Sequence, residues 1–197
     1  MDKKRTSVVK RQTAETDVEL RFTIDGSGNY QINTGLGFFN HMLSLFAKHG
    51  SFDLELTAQG DLNVDAHHTV EDIGICLGKA LKGAVKDKAG ISRFGHALVP
   101  MDEALAMVAV DLSGRGYLAF EVLIPATKVG EFETELVEEF MRSLAANGEF
   151  TLHVRLLAGH NSHHICEAIF KALGRALREA VAYDSRLRGV PSTKGVL

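Results

Sequence analysis

Apolar and polar residues alternate along Thr6 to Arg11, Val18 to Ile24 and Tyr30 to Asn33, a period of two that puts every second side chain on one face of a strand. Asp25-Gly26-Ser27-Gly28-Asn29 between the last two runs is turn chemistry. From Leu36 to His49 the apolar residues Phe39, Met42, Leu43, Leu45 and Phe46 fall at helical spacing, and Gly50 stands where a C-terminal cap belongs. Alternation returns over Phe52 to Thr57, and a second helical pattern runs from His67 to about Lys88. The predicted order is three strands, helix, strand, helix.

The same order recurs. Arg93 to Val99, Ala104 to Leu112 and Tyr117 to Ile124 read as strands, Glu131 to Asn147 as a helix ending at Gly148, Phe150 to Leu156 as a strand, and Asn161 to about Tyr183 as a helix. Gly50 matches Gly148, Phe52 matches Phe150, Leu54 matches Leu152 and Leu56 matches Val154, all at an offset of 98. After a connection two residues shorter, His67 matches His163, Glu71 matches Glu167, Gly78 matches Gly174 and Leu81 matches Leu177. An internal duplication accounts for these matches. The expected fold is α+β, with a first repeat half over 1–89 and a second over 90–197 joined near Ala89-Gly90 into one compact catalytic unit.

Each half opens its last helix with His-His-x-x-Glu, at His67-His68-Thr69-Val70-Glu71 and His163-His164-Ile165-Cys166-Glu167. Helical neighbours point about 100° apart, whereas residues four apart share a face. His67 with Glu71 can therefore hold one ion while His68 turns to a second, and His163, Glu167 and His164 repeat the arrangement. Two facing copies would build two equivalent metal sites reciprocally. The 98 offset also carries His41 onto Glu139, which adds one ligand candidate per half. Imidazole suits Zn, Fe, Ni or Cu, and added carboxylates move the preference toward Mn. A structural zinc remains an alternative, although such sites favour Cys. His49 is a candidate substrate contact, and His96, His153 and His160, without repeat partners, read as surface or turn residues.

Composition narrows the classes. The 197 residues are 45% hydrophobic, enough for a substantial core, and the net charge of −3 leaves no electrostatic footprint for nucleic acid or an anionic membrane. No apolar run has signal-peptide or membrane-spanning character, so a cytoplasmic location is expected. Cys76 and Cys166 read as small core residues. Arg93, Arg115 and the tail Pro191-Ser192-Thr193-Lys194-Gly195 place cations and small hydroxyls where an oxyanion could sit, which implies a small phosphorylated substrate.

With these residues in view, the chain resembles the imidazoleglycerol-phosphate dehydratase family of histidine biosynthesis. The likeness runs from Arg11-Gln12-Thr13-Ala14-Glu15-Thr16 to the Pro-Ser-Thr-Lys-Gly tail. It is carried by Asp65-Ala66-His67-His68-Thr69-Val70-Glu71-Asp72, by Val99-Pro100-Met101-Asp102-Glu103-Ala104, and by Asn161-Ser162-His163-His164 with Glu167-Ala168. The resemblance implies a duplicated α+β fold like ribosomal protein S5 domain 2. It also implies a symmetric homo-oligomer of about 24 subunits with active sites between them, and two Mn²⁺ ions per active site. One ion would take His41, His68, His163 and Glu167, the other His67, Glu71 and His164, with Glu139 standing where the family often has His.

The implied reaction removes water from imidazole glycerol phosphate to give imidazole acetol phosphate. The ions would stabilise the imidazole as an imidazolate that expels the neighbouring hydroxyl and makes the adjacent C–H acidic. Glu15 would transfer the proton, Glu71 or Glu167 could alternate between ligand and base, and His41, His49, His67 and His163 would border the substrate with Glu15. Arg93, Arg115, Ser192 and Lys194 would hold its phosphate. Two other classes fit the same residues. A di-metal phosphate-ester hydrolase would release phosphate, and a metal-dependent assembly module would be indifferent to loss of Lys194.

Overall fold

Two four-stranded sheets with one strand plan organise the chain, of which the computed structural model describes residues 4–195. The first comprises β1 (Thr6–Gln12), β2 (Thr16–Thr23), β3 (Tyr30–Asn33) and β4 (Asp53–Gly60), with α1 (Gly37–Gly50) between β3 and β4 and α2 (His67–Val85) after β4. The second comprises β5 (Phe94–Met101), β6 (Ala104–Asp111), β7 (Tyr117–Glu121) and β10 (Thr151–Ala158). A hairpin of β8 (Lys128–Val129) and β9 (Phe132–Glu133) and then α3 (Leu136–Gly148) precede β10, and α4 (Ser162–Val181) follows it. The sheet orders are β1-β2-β4-β3 and β5-β6-β10-β7. In each, the strand before the short helix pairs parallel with the strand after it, and the other pairings are antiparallel. The expected duplicated α+β architecture is what the chain forms; the ends of the two expected halves, 1–3 and 196–197, lie outside the described residues.

Register makes the repeat finer than the sequence pattern did. Thr6 pairs with Thr23 and Phe94 with Asp111, so the first hairpin recurs at an offset of 88. Thr23 pairs with Asp53 and Asp111 with Thr151, so the fourth strand recurs at 98. The ten extra residues fall between β7 and α3, where β8 and β9 form their hairpin around Gly130 at φ 59°. This corrects the helix predicted from Glu131. Lys128 pairs with Glu133 and Val129 with Phe132, and Phe132 is buried with its ring stacked 5.6 Å from Phe39, so α3 cannot begin before Leu136. Three other ends are shorter than predicted. β7 stops at Glu121, where its ladder to Arg155 ends just before the irregularity between Leu156 and Ala158. α2 stops at Val85 because Lys86 turns to φ 61°, and α4 stops at Val181, beyond which Ala182 is extended and Tyr183 bridges Ile91.

One face of each sheet meets the helices, so the strands alternate buried and exposed residues, with Val18, Leu20 and Phe22 inward on β2 and Ala106, Val108 and Val110 inward on β6. Phe39, Phe140 and Phe170 join α1, α3 and α4 at the centre, with ring centroids 5.3 and 5.5 Å apart. The long helix of each half covers its own sheet and also packs on the short helix of the other half. Close approach depends on glycine at repeat-equivalent places. A Cβ on Gly78 would lie 2.6 Å from the Leu144 carbonyl oxygen and 2.7 Å from the Gly148 nitrogen, and one on Gly174 would lie 2.5 Å from the Phe46 carbonyl oxygen and 2.9 Å from the Gly50 nitrogen. Cys76 and Cys166 are core residues, their thiols pushed up by burial to about 11 and about 12. No described helix is long and apolar enough to cross a membrane.

Gly174→Val should force α4 off α1 and lower the unfolding free energy by about 1–3 kcal/mol or more in denaturant titration. Gly37→Ala, where a Cβ meets nothing within 4 Å, should stay within about 0.5 kcal/mol of the parent.

Candidate metal centre and anion cavity

Asn161 caps α4, its Oδ1 accepting the backbone N–H of His163 at 3.0 Å and of His164 at 3.2 Å. The first turn is thereby fixed, with His163 and Glu167 on the face that meets α1. His41 arrives from α1, and Nε2 of His41 and Nε2 of His163 lie 2.9 and 3.1 Å from the same Glu167 oxygen, Oε1. The other oxygen, Oε2, accepts from Lys171 Nζ, which also lies 3.2 Å from Met101 Sδ. Phe38 packs edge-on against the His163 ring at 5.2 Å. Burial works to raise the Glu167 carboxyl, but Lys171, His41 and His163 hold it down to about 2, so it is ionised at neutral pH.

Three ligand-type atoms, on His41, His163 and Glu167, thus lie within 4.8 Å of one another, the one such group among the described residues. Ligands of a small divalent ion stand about 3 Å apart, and the two imidazole nitrogens lie 2.9 and 3.1 Å from Glu167 Oε1. Two imidazoles and one carboxylate also leave coordination positions open.

The remaining candidates do not join this group within one chain. His68 Nδ1 is 3.0 Å from Asp61 Oδ2 and 3.7 Å from Glu15 Oε2, and its pKa is raised chiefly by the hydrogen bond to Asp61. His164 Nδ1 is 2.7 Å from Glu103 Oε2 and its pKa is raised by that contact, while Glu103, held by His164 and by the N–H groups of Asn161 and His160, falls to about 2. His67 starts α2 with its N–H donating to Asp65 Oδ1 at 2.8 Å. Among the described residues no hydrogen bond or ion pair joins His67 to Glu71, and Glu139 instead faces Arg142 at 3.9 Å. The halves differ in residue type: His41 and His163 both meet the Glu167 carboxylate, whereas Glu139, at the position of His41 in the other half, pairs with Arg142.

The residues expected at the phosphate come together in one place. Arg93, Arg115, Ser192 and Lys194 line a cavity of 760 Å³ with Ser113, Thr193, Leu187 and Pro191. Arg93 is pinned there, its Nε and Nη2 donating to Asp111 at 2.7 and 3.2 Å and Nη1 to the Pro191 carbonyl at 2.8 Å. Ser192 shapes the tail, its Oγ accepting the Lys194 N–H at 3.2 Å. His49 is not among the lining residues; it stands near Lys171 and Arg175, its pKa lowered by burial and by both cations. The cavity and the His41 group occupy opposite ends of α4. The Arg93 N–H donates to the Ala180 carbonyl, whereas His163 is in the first turn, and the intervening residues span about 25 Å at 1.5 Å each.

Several site residues escaped the sequence reading. Lys171 carried a signal, its i+4 spacing from Glu167; Glu103 lay inside a quoted stretch without a role. Asp61 and Ser113 carried none, because only the fold brings them to His68 and to the cavity.

Residues 34–177 match the family model for imidazoleglycerol-phosphate dehydratase. The chain is 63% identical to the imidazoleglycerol-phosphate dehydratase of Desulforudis audaxviator over 98% of both chains, and 61% identical to that of Desulforamulus reducens with the same coverage. Among solved structures it is similar to imidazoleglycerol-phosphate dehydratase from Staphylococcus aureus N315, with TM-score 0.83 and 44% identity over 91% of this chain and 99% of that one. It is likewise similar to the Pyrococcus furiosus protein in complex with (S)-C348, with TM-score 0.84 and 40% identity over 96% and 100% of the two chains.

Arg93→Met removes the clamp on the tail without emptying its place. A hydrogen bond from a charged donor is worth about 1.5–3 kcal/mol, so trypsin should cut at Arg186 and Arg188 about tenfold faster or more, followed by mass spectrometry.

Proposed function

The chain belongs to the imidazoleglycerol-phosphate dehydratase family, hydro-lyases of histidine biosynthesis acting on a small molecule, and from that premise we propose that its active site holds two Mn²⁺ ions and is shared between subunits. The observation that carries the reading is the convergence of His41 Nε2, His163 Nε2 and Glu167 Oε1 at one point. On this proposal His68 of another subunit completes that shell. His67, Glu71 and His164 hold the second ion, with Glu139 beside them. The Nδ1 contacts of His68 and His164 with carboxylates support it, since a ligating imidazole commonly gives its other nitrogen to such a partner.

The separation of about 25 Å along α4 supports the shared site. A substrate with a three-carbon chain between imidazole and phosphate cannot reach the His41 group and the Arg93 cavity of the same chain. Exposed apolar side chains on the sheets, among them Val8, Phe94, Leu98 and Leu157, offer surface for subunit contacts. A cytoplasmic homo-oligomer of about 24 subunits belongs to the same proposal.

Arg115, Lys194 and Ser192 bind the phosphate by charge-assisted hydrogen bonds, and Arg93 mainly fixes the wall they share. Mn²⁺ held by the proposed ligands would supply positive charge against the imidazole ring. Glu15, on the exposed β1–β2 turn, takes the proton from the carbon beside the one that loses its hydroxyl. Glu71 suits the alternation between ligand and base better than Glu167. Glu167 is engaged by two histidines and a lysine, whereas no side-chain hydrogen bond to Glu71 occurs among the described residues. His41, His49, His67 and His163 border the substrate.

Metal-stripped protein supplied with imidazole glycerol phosphate should form imidazole acetol phosphate only when Mn²⁺ is restored, without free phosphate; phosphate release would favour the hydrolase class instead. Glu15→Gln should bind metal and substrate normally while turnover drops about 10²–10⁴-fold. His163→Ala and the double variant Arg115→Ala/Lys194→Ala should each be inactive as pure assemblies. Refolded together in equal amounts they should recover about a quarter of the sites, and no recovery would place both halves of a site in one chain.

A further inference from the structure

Glu15 and Glu103 are the same residue of the repeat. The β1–β2 and β5–β6 hairpins share one register at an offset of 88, and each glutamate immediately precedes the hairpin's second strand, at Thr16 and Ala104. Each carboxylate also approaches the same histidine of its half's motif, Glu103 at 2.7 Å from Nδ1 of His164 and Glu15 at 3.7 Å from Nδ1 of His68. Their engagement differs. Glu103 is hydrogen-bonded to the ring and also accepts the N–H groups of His160 at 3.2 Å and Asn161 at 2.7 Å. Glu15 makes no comparable bond, because Asp61 Oδ2 stands 3.0 Å from the His68 nitrogen.

The difference traces to one position. Asp61 follows directly on β4; the irregularity between Leu156 and Ala158 adds one residue to β10, so Gly60, paired with Thr16, corresponds to Gly159 beside Ala104, and Asp61 corresponds to His160. The glycines confirm the match: a Cβ on Gly60 would meet Thr69 and Thr16, and one on Gly159 would meet their equivalents Ile165 and Ala104. His160 gives its N–H to Glu103 and brings no carboxylate to His164, so the hairpin glutamate holds that histidine. In the first half the aspartate does so, and its own N–H donates to the Glu15 carbonyl at 3.1 Å, which ties the two residues' backbones together.

We propose that Asp61 is a positioning residue for the dehydration: it holds Nδ1 of His68 so that Nε2 is the ligand atom, as Glu103 does for His164, and in doing so leaves Glu15 unengaged for proton transfer. The inference rests on the proposed metal roles of His68 and His164. It divides between two residues in one half a task and a freedom that a single glutamate cannot combine in the other.

The test is equilibrium Mn²⁺ affinity of the assembled protein, read beside turnover on the same samples. Asp61→Asn and Glu103→Gln should each weaken Mn²⁺ binding about 10–100-fold, Asp61→Glu should recover most of the loss, and Glu15→Gln should leave affinity within about twofold while abolishing turnover. Asp61→Ala, which removes the side-chain acceptor altogether and keeps the backbone N–H to Glu15, should lose at least as much affinity as Asp61→Asn. Unchanged affinity in the Asp61 variants, or a loss in Glu15→Gln equal to that in Glu103→Gln, would overturn the inference. His68→Ala and His164→Ala are the controls: weakened binding there with unchanged Asp61 variants removes this inference alone, whereas no effect in either removes the metal reading with it.

Discussion

The backbone-to-backbone approach of α4 to α1 is the contact on which the candidate site depends. Gly174 meets the carbonyl of Phe46 and the nitrogen of Gly50 at distances that exclude a side chain. Nine residues before Gly50 stands His41, and seven before Gly174 stands Glu167, so helices brought together at the glycines run side by side to the ligands. The same approach recurs between Gly78 and Gly148. Because each long helix packs on the other half's short helix, neither half carries a complete wall of the site, and duplication rather than either repeat alone creates it.

Equivalent backbone does not make equivalent chemistry. Around Glu167 a buried carboxylate gathers two imidazoles and a lysine, and its ionised form compensates its own burial. At the corresponding place in the other half Glu139 stands in for His41 and turns to Arg142 instead. The hairpin glutamates also diverge, since Asp61 offers His68 a carboxylate where its counterpart His160 offers His164 none. On the proposed reading, small local exchanges after duplication separate holding, orienting and proton-transferring tasks between equivalent positions.

Much of this was legible in the chain. Alternation located the strands, the capping glycines ended the short helices, and the two His-His-x-x-Glu copies sat where helices begin. The 98 offset was visible because Phe52, Leu54 and Leu56 recur in kind at Phe150, Leu152 and Val154. The 88 offset was not, since the matching strands share a buried-exposed rhythm rather than residues, as with Leu20 against Val108 and Phe22 against Val110. The β8–β9 hairpin escaped because Glu131, Phe132, Glu133 and Glu135 read as an acidic first helical turn, and only the burial of Phe132 against Phe39 reveals a strand. Arg93, Arg115, Ser192 and Lys194 were picked by residue type; that they line one cavity follows from the Arg93 clamp on Pro191, which no local pattern encodes.

The long axis of α4 carries the remaining consequence. With ligand-type residues in its first turn and the cavity beside its last, a single chain carries the two groups at opposite ends of one helix. On the proposed reading each ion takes ligands from two chains, so ion binding and subunit association are linked: whatever binds the assembled state and not the separate chains stabilises assembly by mass action. The demand on sequence is then modest within the chain and strict between chains. α4 needs only to be straight and capped at Asn161, while the surfaces of the sheets must set the distance from one chain's first turn to its neighbour's last.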